Sequence, residues 1–216
     1  MLRYRVRHQF LAIGLAALAG FVDAIGFLAL GGLFVSFMSG NSTQLAVESA
    51  KFGNGIHFAG ALILAFVLGV MGGTVAGNLA GRWRKQAAML LVLGLLLVAC
   101  SANLSRDHLA VTTLFMAGAM GAANAVFQRA GEVSIGVTYM TGTLVKLAQY
   151  IVIALSGGAR LAWLPYLLLW LGLIGGAMAG ATAFHRLGLQ ALWIAVGLQA
   201  MLVAHSFALG PTSTDR

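Results

Sequence analysis

The sequence predicts an all-α membrane protein of six spanning helices plus two broken, re-entrant segments, arranged as two inverted repeats. Three observations predict it. First, 60% of the 216 residues are hydrophobic and only 8% are charged, with a mean hydropathy of +0.93. A soluble domain carries about 25% charged residues and covers its surface with them, so this chain belongs in lipid. Second, the apolar residues form long continuous runs. Membrane strands would read instead as alternating segments of about ten residues. Third, the chain says the same thing twice. Gly20-Phe21-Val22-Asp23-Ala24 returns as Gly121-Ala122-Ala123-Asn124-Ala125, and Met38-Ser39-Gly40-Asn41 returns as Met140-Thr141-Gly142-Thr143. Gly69, Gly72, Gly73 and Gly77 return as Gly172, Gly175, Gly176 and Gly180. The offsets are 101, 102 and 103 residues, so order and spacing are both kept.

Eight apolar segments follow one another at 10–30, 33–50, 56–81, 86–103, 109–128, 135–156, 161–184 and 189–209. They form one transmembrane domain over 1–216, with repeat one at 10–104 and repeat two at 108–210. The first segment begins like a signal peptide, with Arg3, Arg5 and Arg7 ahead of Ala17-Leu18-Ala19. Its apolar run continues to Leu30 and contains the repeated Gly20–Ala24 element, so it reads as a retained helix. The second segment is interrupted by Ser39-Gly40-Asn41-Ser42-Thr43-Gln44, with Glu48 and Lys51 close behind. Only two or three helical turns remain after the break, roughly half a bilayer at about 1.5 Å per residue. The third and seventh carry their glycines on one side, which lets helices approach closely. The fourth holds the single cysteine, Cys100, which excludes an intramolecular disulfide and a cysteine metal site. The sixth carries the matching break at Thr141-Gly142-Thr143 but is long enough to span. Pro165 falls in the first turn of the seventh, where proline is tolerated. Tyr4, Trp83, Trp163 and Tyr166 fall at segment ends, as interfacial aromatics do.

Charge placement decides between topologies. If segments two and six enter and leave by one face, Arg3, Arg5, Arg7, Arg82, Arg84, Lys85, Arg129, Arg160 and Arg216 are cytoplasmic, leaving Lys51, Arg106 and Arg186 outside. If all eight cross, the Arg82–Lys85 cluster lies outside. The positive-inside rule prefers the first arrangement, with both termini cytoplasmic and repeat two upside down relative to repeat one. The fallback is eight crossings with parallel repeats. The net charge of +8 sits in these short clusters between apolar runs, so nucleic acid is not the expected partner.

The paired breaks carry the functional expectation. Ser39, Asn41, Ser42, Thr43, Thr141 and Thr143 are good helix N-caps. A helix restarting at each break points free N–H groups toward it. Irregular backbone at membrane depth survives only when buried in protein or lining a wet cavity. The plainer reading makes the breaks packing kinks with Ser and Thr bonded to the preceding turn. Asp23 lies thirteen residues into the first segment and pairs by repeat with Asn124. It serves proton coupling, cation contact or a clamp on the other half, or simply accepts hydrogen bonds from the broken backbone. Lys146 follows Thr141 by five residues and corresponds to Gln44. It either faces a cavity or snorkels to an interface. Gln44 and Glu48 share a helix face. The set Asp23, Ser39, Gly40, Asn41, Asn124, Thr141, Gly142, Thr143 and Lys146 is the expected solute site, converging near mid-membrane. An anionic or carboxylate-bearing solute is favoured by two helix N-termini and Lys146. No His pair at metal spacing, nucleophile elbow, phosphate loop or dinucleotide fingerprint occurs, so neither enzyme activity nor a cofactor is expected.

Gly20-x-x-Asp23-Ala24, Gly32-x-Phe34-Val35-x-x-Met38-Ser39-Gly40-Asn41, Gly121-x-x-Asn124-Ala125 and Thr141-Gly142-Thr143 resemble the YoaK family of small bacterial integral membrane proteins, over nearly the whole chain. That family usually shows Thr where this chain has Ser39, and often Gln where it has Ala123. The resemblance implies the bacterial cytoplasmic membrane and leaves the activity open. Two functions then compete: a small-solute transporter or channel with its site at the breaks, or a non-transporting assembly or regulatory protein whose breaks are structural. A polar, water-reachable cavity at the breaks favours the first, and a solid apolar centre the second. The small-residue faces serve a homodimer or the monomer's own packing equally well.

Overall fold

The computed structural model describes residues 6–50, 56–104, 108–129, 132–133 and 135–211. Among the described residues eight α-helices follow in order: α1 (Val6–Leu30), α2 (Met38–Ala50), α3 (Ile56–Ala80), α4 (Arg84–Asn103), α5 (Leu109–Asn124), α6 (Met140–Leu155), α7 (Leu164–Leu187) and α8 (Leu192–Ala208). Arg3, Tyr4, Arg5, Lys51, Arg106 and Arg216, which entered the charge and belt arguments, lie outside the described residues.

Three helical stretches among the described residues are long and apolar enough to cross a membrane: Arg7–Leu30, His57–Asn103 and Leu164–Ala208. The second folds back as a packed hairpin, and in the third the chain turns back so that its last helix packs on α1 and α4. A 3-10 turn, Gly81–Trp83, joins α3 to α4, and a second, Gly188–Ala191, joins α7 to α8. Gly81 and Gly188 open these turns with φ of 55° and 59°, a left-handed conformation that costs a side chain about 1–2 kcal/mol.

Packing fixes the helix directions. Along α1 and α7, Gly172 lies against Ile13, Gly176 against Ala17 and Gly180 against Phe21, so the two run parallel. Along α3 and α5, Gly69 lies against Gly118 and Gly73 against Ala122, again parallel. Between α4 and α8, the Gln86 Nε2 donates to the carbonyls of Ser206 and Gly210 at 3.0 Å each. The Gln199 Nε2 donates to Met89 O at 2.8 Å, so this pair is antiparallel. The core draws on α1, α4 and α5, with Leu15, Leu18, Met89, Leu96, Met116 and Met120 fully buried. By contrast, α2 and α6 are peripheral. Each buries one residue, Asn41 and Thr143 respectively.

The backbone contacts correct the glycine alignment. Gly176 and Gly69 both sit on the carbonyl of an equivalent residue, Ala17 and Gly118, and Gly180 and Gly73 on Phe21 and Ala122. The matching offset is therefore 107, as it is for Gly81 and Gly188, and not 103. The difference is one helical turn. Three of the extra residues lie in α6, which has 16 residues against 13 in α2.

Two further expectations change. The sixth segment, read as 135–156 and long enough to span, is a helix only over Met140–Leu155. Its 16 residues reach about 24 Å, short of a hydrocarbon core of about 30 Å. The fifth segment leaves the helix at Asn124, and Gln128–Arg129 pairs with Glu132–Val133 in a small antiparallel ribbon. The charged Arg129 and Glu132 end the apolar run there, where a continuing helix would carry both into the bilayer.

Candidate functional site: two breaks and one polar cavity

The first break is closed by its own hydrogen bonds. The Asp23 Oδ1 accepts the backbone N–H of Val35 at 2.9 Å and of Ser36 at 2.7 Å. The Asn41 side chain clasps Phe34 in both directions: its Oδ1 accepts the Phe34 N–H at 2.9 Å, and its Nδ2 donates to the Phe34 carbonyl at 2.6 Å. These four bonds satisfy backbone groups that lipid would leave unpaired. The Phe34 ring packs between Phe27 and Phe37, with centroids 4.8 and 5.2 Å away, and covers Gly40. Val35 presses on Gly26, where a side chain would displace it.

The second break uses weaker, neutral groups at the equivalent places. The Asn124 Nδ2 donates to Met120 O at 3.0 Å and to Thr138 Oγ1 at 2.9 Å, and the Thr138 hydroxyl lies 3.2 Å from Asn124 Oδ1. Thr138 corresponds to Ser36 at the offset of 102. In this break the clamp on Asn124 is thus a side chain, where Asp23 binds backbone.

The hydroxyls do not cap. Helices α2 and α6 begin at Met38 and Met140, one residue before Ser39 and Thr141. Inside the first turns, Ser42 Oγ donates to Met38 O at 2.8 Å, Thr43 Oγ1 to Ser39 O at 3.1 Å and Thr143 Oγ1 to Tyr139 O at 3.3 Å. A hydroxyl can satisfy itself on the preceding turn's carbonyl wherever no N–H needs it more.

The expected site residues divide into two groups. Asn124, Gly142, Thr143 and Lys146 come together around a cavity of about 470 Å³. Its other walls are Phe66 and Val70 from α3, Ile135, Gly136, Thr138 and Tyr139 from the break, and Tyr166 and Leu169 from α7. A groove of about 710 Å³ between α6 and α7 shares Lys146 and Tyr166 with it and adds Gln149 and Tyr150. The Tyr150 and Tyr166 rings stack there, 5.1 Å apart and 12° from parallel. Asp23, Ser39, Gly40 and Asn41 stay at the first break and do not line this cavity. Thr141 is exposed on the first turn of α6. Helix α2 packs on α3, whereas α6 packs on α7. Sequence reasoning passed over Gly136, Thr138, Tyr139 and Tyr166. The first three were legible as the partners of Phe34, Ser36 and Phe37 at the offset of 102.

The family called Protein of unknown function (DUF1275) matches residues 11–205. This chain belongs to the DUF1275 family. It is also 34% identical over 204 residues to a UPF0700 transmembrane protein of Rhizobium meliloti (strain 1021), covering 92% of this chain and 86% of that one. No solved structure matches the chain. The membership agrees with the composition and the long apolar helices: this DUF1275 chain is a helical membrane protein.

Proposed function

We propose that this DUF1275 protein moves a small solute across the bacterial cytoplasmic membrane, and that the cavity at the second break is where the solute binds. The observation that carries this is the cavity itself. It is bounded by irregular backbone, the amide of Asn124, the hydroxyls of Thr138 and Thr143, and the ammonium of Lys146. Non-helical backbone beside a polar cavity is how transporters expose backbone groups to a solute.

The architecture of this proposal is six crossings, α1, α3, α4, α5, α7 and α8, with α2 and α6 re-entrant and the repeats inverted. Helix directions support it. With α1 opposite α8, α4 opposite α8, α3 opposite α4 and α5 along α3, helices α1 and α5 point in opposite directions. Side chains support the sidedness. Trp83 packs on Phe207 at 5.6 Å, and Lys85 stands 5.9 Å from the Phe127 ring. The Arg82–Lys85 cluster, the end of α8 and the ribbon carrying Arg129 thereby share one face, which the positive-inside rule makes cytoplasmic.

A second reading has an observation of its own. Asp23 and Asn41 both serve the backbone of the first break, as a purely structural device would. Proteoliposome swelling in iso-osmotic solutions of small organic acids, polyols and amino acids separates the readings. Transport gives solute-dependent swelling that a bulky Thr143→Trp substitution abolishes. Absence of swelling in every solution, with a Gly142→Cys variant inert to a water-soluble thiol reagent, would leave the non-transporting reading.

A further inference from the structure

Repeat one and repeat two differ in bulk at one position of the break. Where the first break places Phe34, the second places Gly136, at the same offset of 102 that relates Ser36 to Thr138 and Met38 to Met140. In repeat one two rings lie against Gly40, Phe37 and beside it Phe34, in front of the first turn of α2. In repeat two the Phe34 ring has no counterpart. Gly136 and Gly142 both line the cavity, and the Tyr139 side chain, the counterpart of Phe37, lies against each of them.

We infer that the solute site belongs to the second repeat alone, opened by Gly136 where Phe34 fills its counterpart, and that it takes a small amphipathic organic anion: a carboxylate on an apolar body. This deepens the reading of the cavity as the solute site and rests on it. Charge complementarity sets the sign. Among the described residues that line the cavity, Lys146 is the one charged group and none is a carboxylate. The amide of Asn124 and the hydroxyls of Thr138 and Thr143 are committed to neighbours, so Lys146 is the group left to meet an ion. The opposite wall, Phe66, Val70, Ile135 and Leu169, is apolar and suits a hydrocarbon or aromatic body. A volume of about 470 Å³ lies within the range of small-molecule pockets, roughly 300–1,000 Å³. The entry is lateral. Lys146 and Tyr166 line both the cavity and the groove between α6 and α7, so a molecule sliding along that groove meets the ammonium before it enters. A solute with an apolar body can wait in such a groove, whereas a strongly hydrated one gains nothing from it.

The test uses the full-length protein in nanodiscs, with empty nanodiscs as blank, and ligand-observed NMR. Benzoate, benzamide and benzylamine hold the ring constant while the charge runs from negative to positive, and butyrate supplies an aliphatic acid. The expected result is binding of benzoate or butyrate above the blank, with benzylamine at the blank. Lys146→Gln weakens the acids about tenfold or more, as loss of a charge-assisted contact does, and leaves benzamide unchanged. Gly136→Phe removes all binding. Val70→Phe, filling the cavity from α3, does the same and covers the case in which Gly136→Phe does not fold. Benzylamine binding as tightly as benzoate, or acids indifferent to Lys146→Gln, or no acid above the blank, overturns the anion class. In the first two cases the site survives if the Phe substitutions still remove binding. Ligand binding that persists in both folded Phe variants overturns the site itself.

Discussion

The carboxylate of Asp23 holds the backbone N–H of Ser36 at 2.7 Å, the chain having folded back over 13 positions to deliver it. The same oxygen takes the N–H of Val35, so one side chain satisfies two backbone donors inside an apolar protein. Repeat two answers with Asn124, which keeps an acceptor oxygen without the charge. Asp23→Asn is therefore expected to fold with a thermal midpoint close to that of the wild type. Asp23→Ala strands both donors, at about 1–3 kcal/mol each, and is expected to lower the midpoint by many degrees. Thermal unfolding in detergent decides it. Equal midpoints for Asp23→Ala and the wild type would show that the clamp contributes nothing.

The glycine contacts predict a paired result. A methyl group on Gly176 would strike the carbonyl of Ala17, whereas one on Gly175 meets open space. We predict that Gly176→Ala separates α1 from α7 and destabilises by about 2 kcal/mol or more, within the usual range for overpacking. Gly175→Ala should be neutral or stabilising by up to about 1 kcal/mol, because alanine is the better helix former. The same unfolding assay would contradict the packing if the two variants behaved alike.

Sidedness is open to direct chemistry. On a Cys100→Ala background, a cysteine at Arg84 is predicted to react with an impermeant maleimide only after the cells are permeabilised. Efficient labelling in intact cells would place the basic cluster outside and remove the six-crossing arrangement. Cys100 is buried and unpaired in α4, so its replacement by alanine should cost little beyond one small apolar contact.

The α4–α8 contact yields a fourth prediction. The Gln86 amide donates to two carbonyls at the end of α8, Ser206 and Gly210, from a fully buried position. Gln86→Ala is expected to loosen the last turn of α8, seen as faster backbone hydrogen exchange at residues 206–210 and a stability loss of about 1–3 kcal/mol. Unchanged exchange there would show that α8 is held by apolar packing alone.

How much of this was legible follows from what sequence periodicity can encode. The membrane class, the positions of the helices and the weakness of the second segment came from apolar run lengths, which depend on local composition. The pairing of Asp23 with Asn124 and of Gly40 with Gly142 came from repeated residues. The glycine register came out one turn wrong, because the rows Gly69–Gly77 and Gly172–Gly180 look alike at either offset and only backbone contacts tell them apart. The capping assignment missed because Ser42, Thr43 and Thr143 have two local uses, and the choice depends on where the helix starts. The cavity was hidden in a difference, Phe34 against Gly136, whose meaning appears only once the two breaks are compared in space.

One consequence of the α1–α7 pairing concerns synthesis. Ala17 and Gly176 touch, yet about 160 residues of chain are made between them. When α1 leaves the ribosome its main partner does not exist, and α3 in turn must wait for α5. Neither half can finish packing by itself, so the nascent protein crosses a long interval in which small-residue faces are bare in the bilayer. Its assembly is a race between translation and whatever else in the membrane binds a glycine-lined helix.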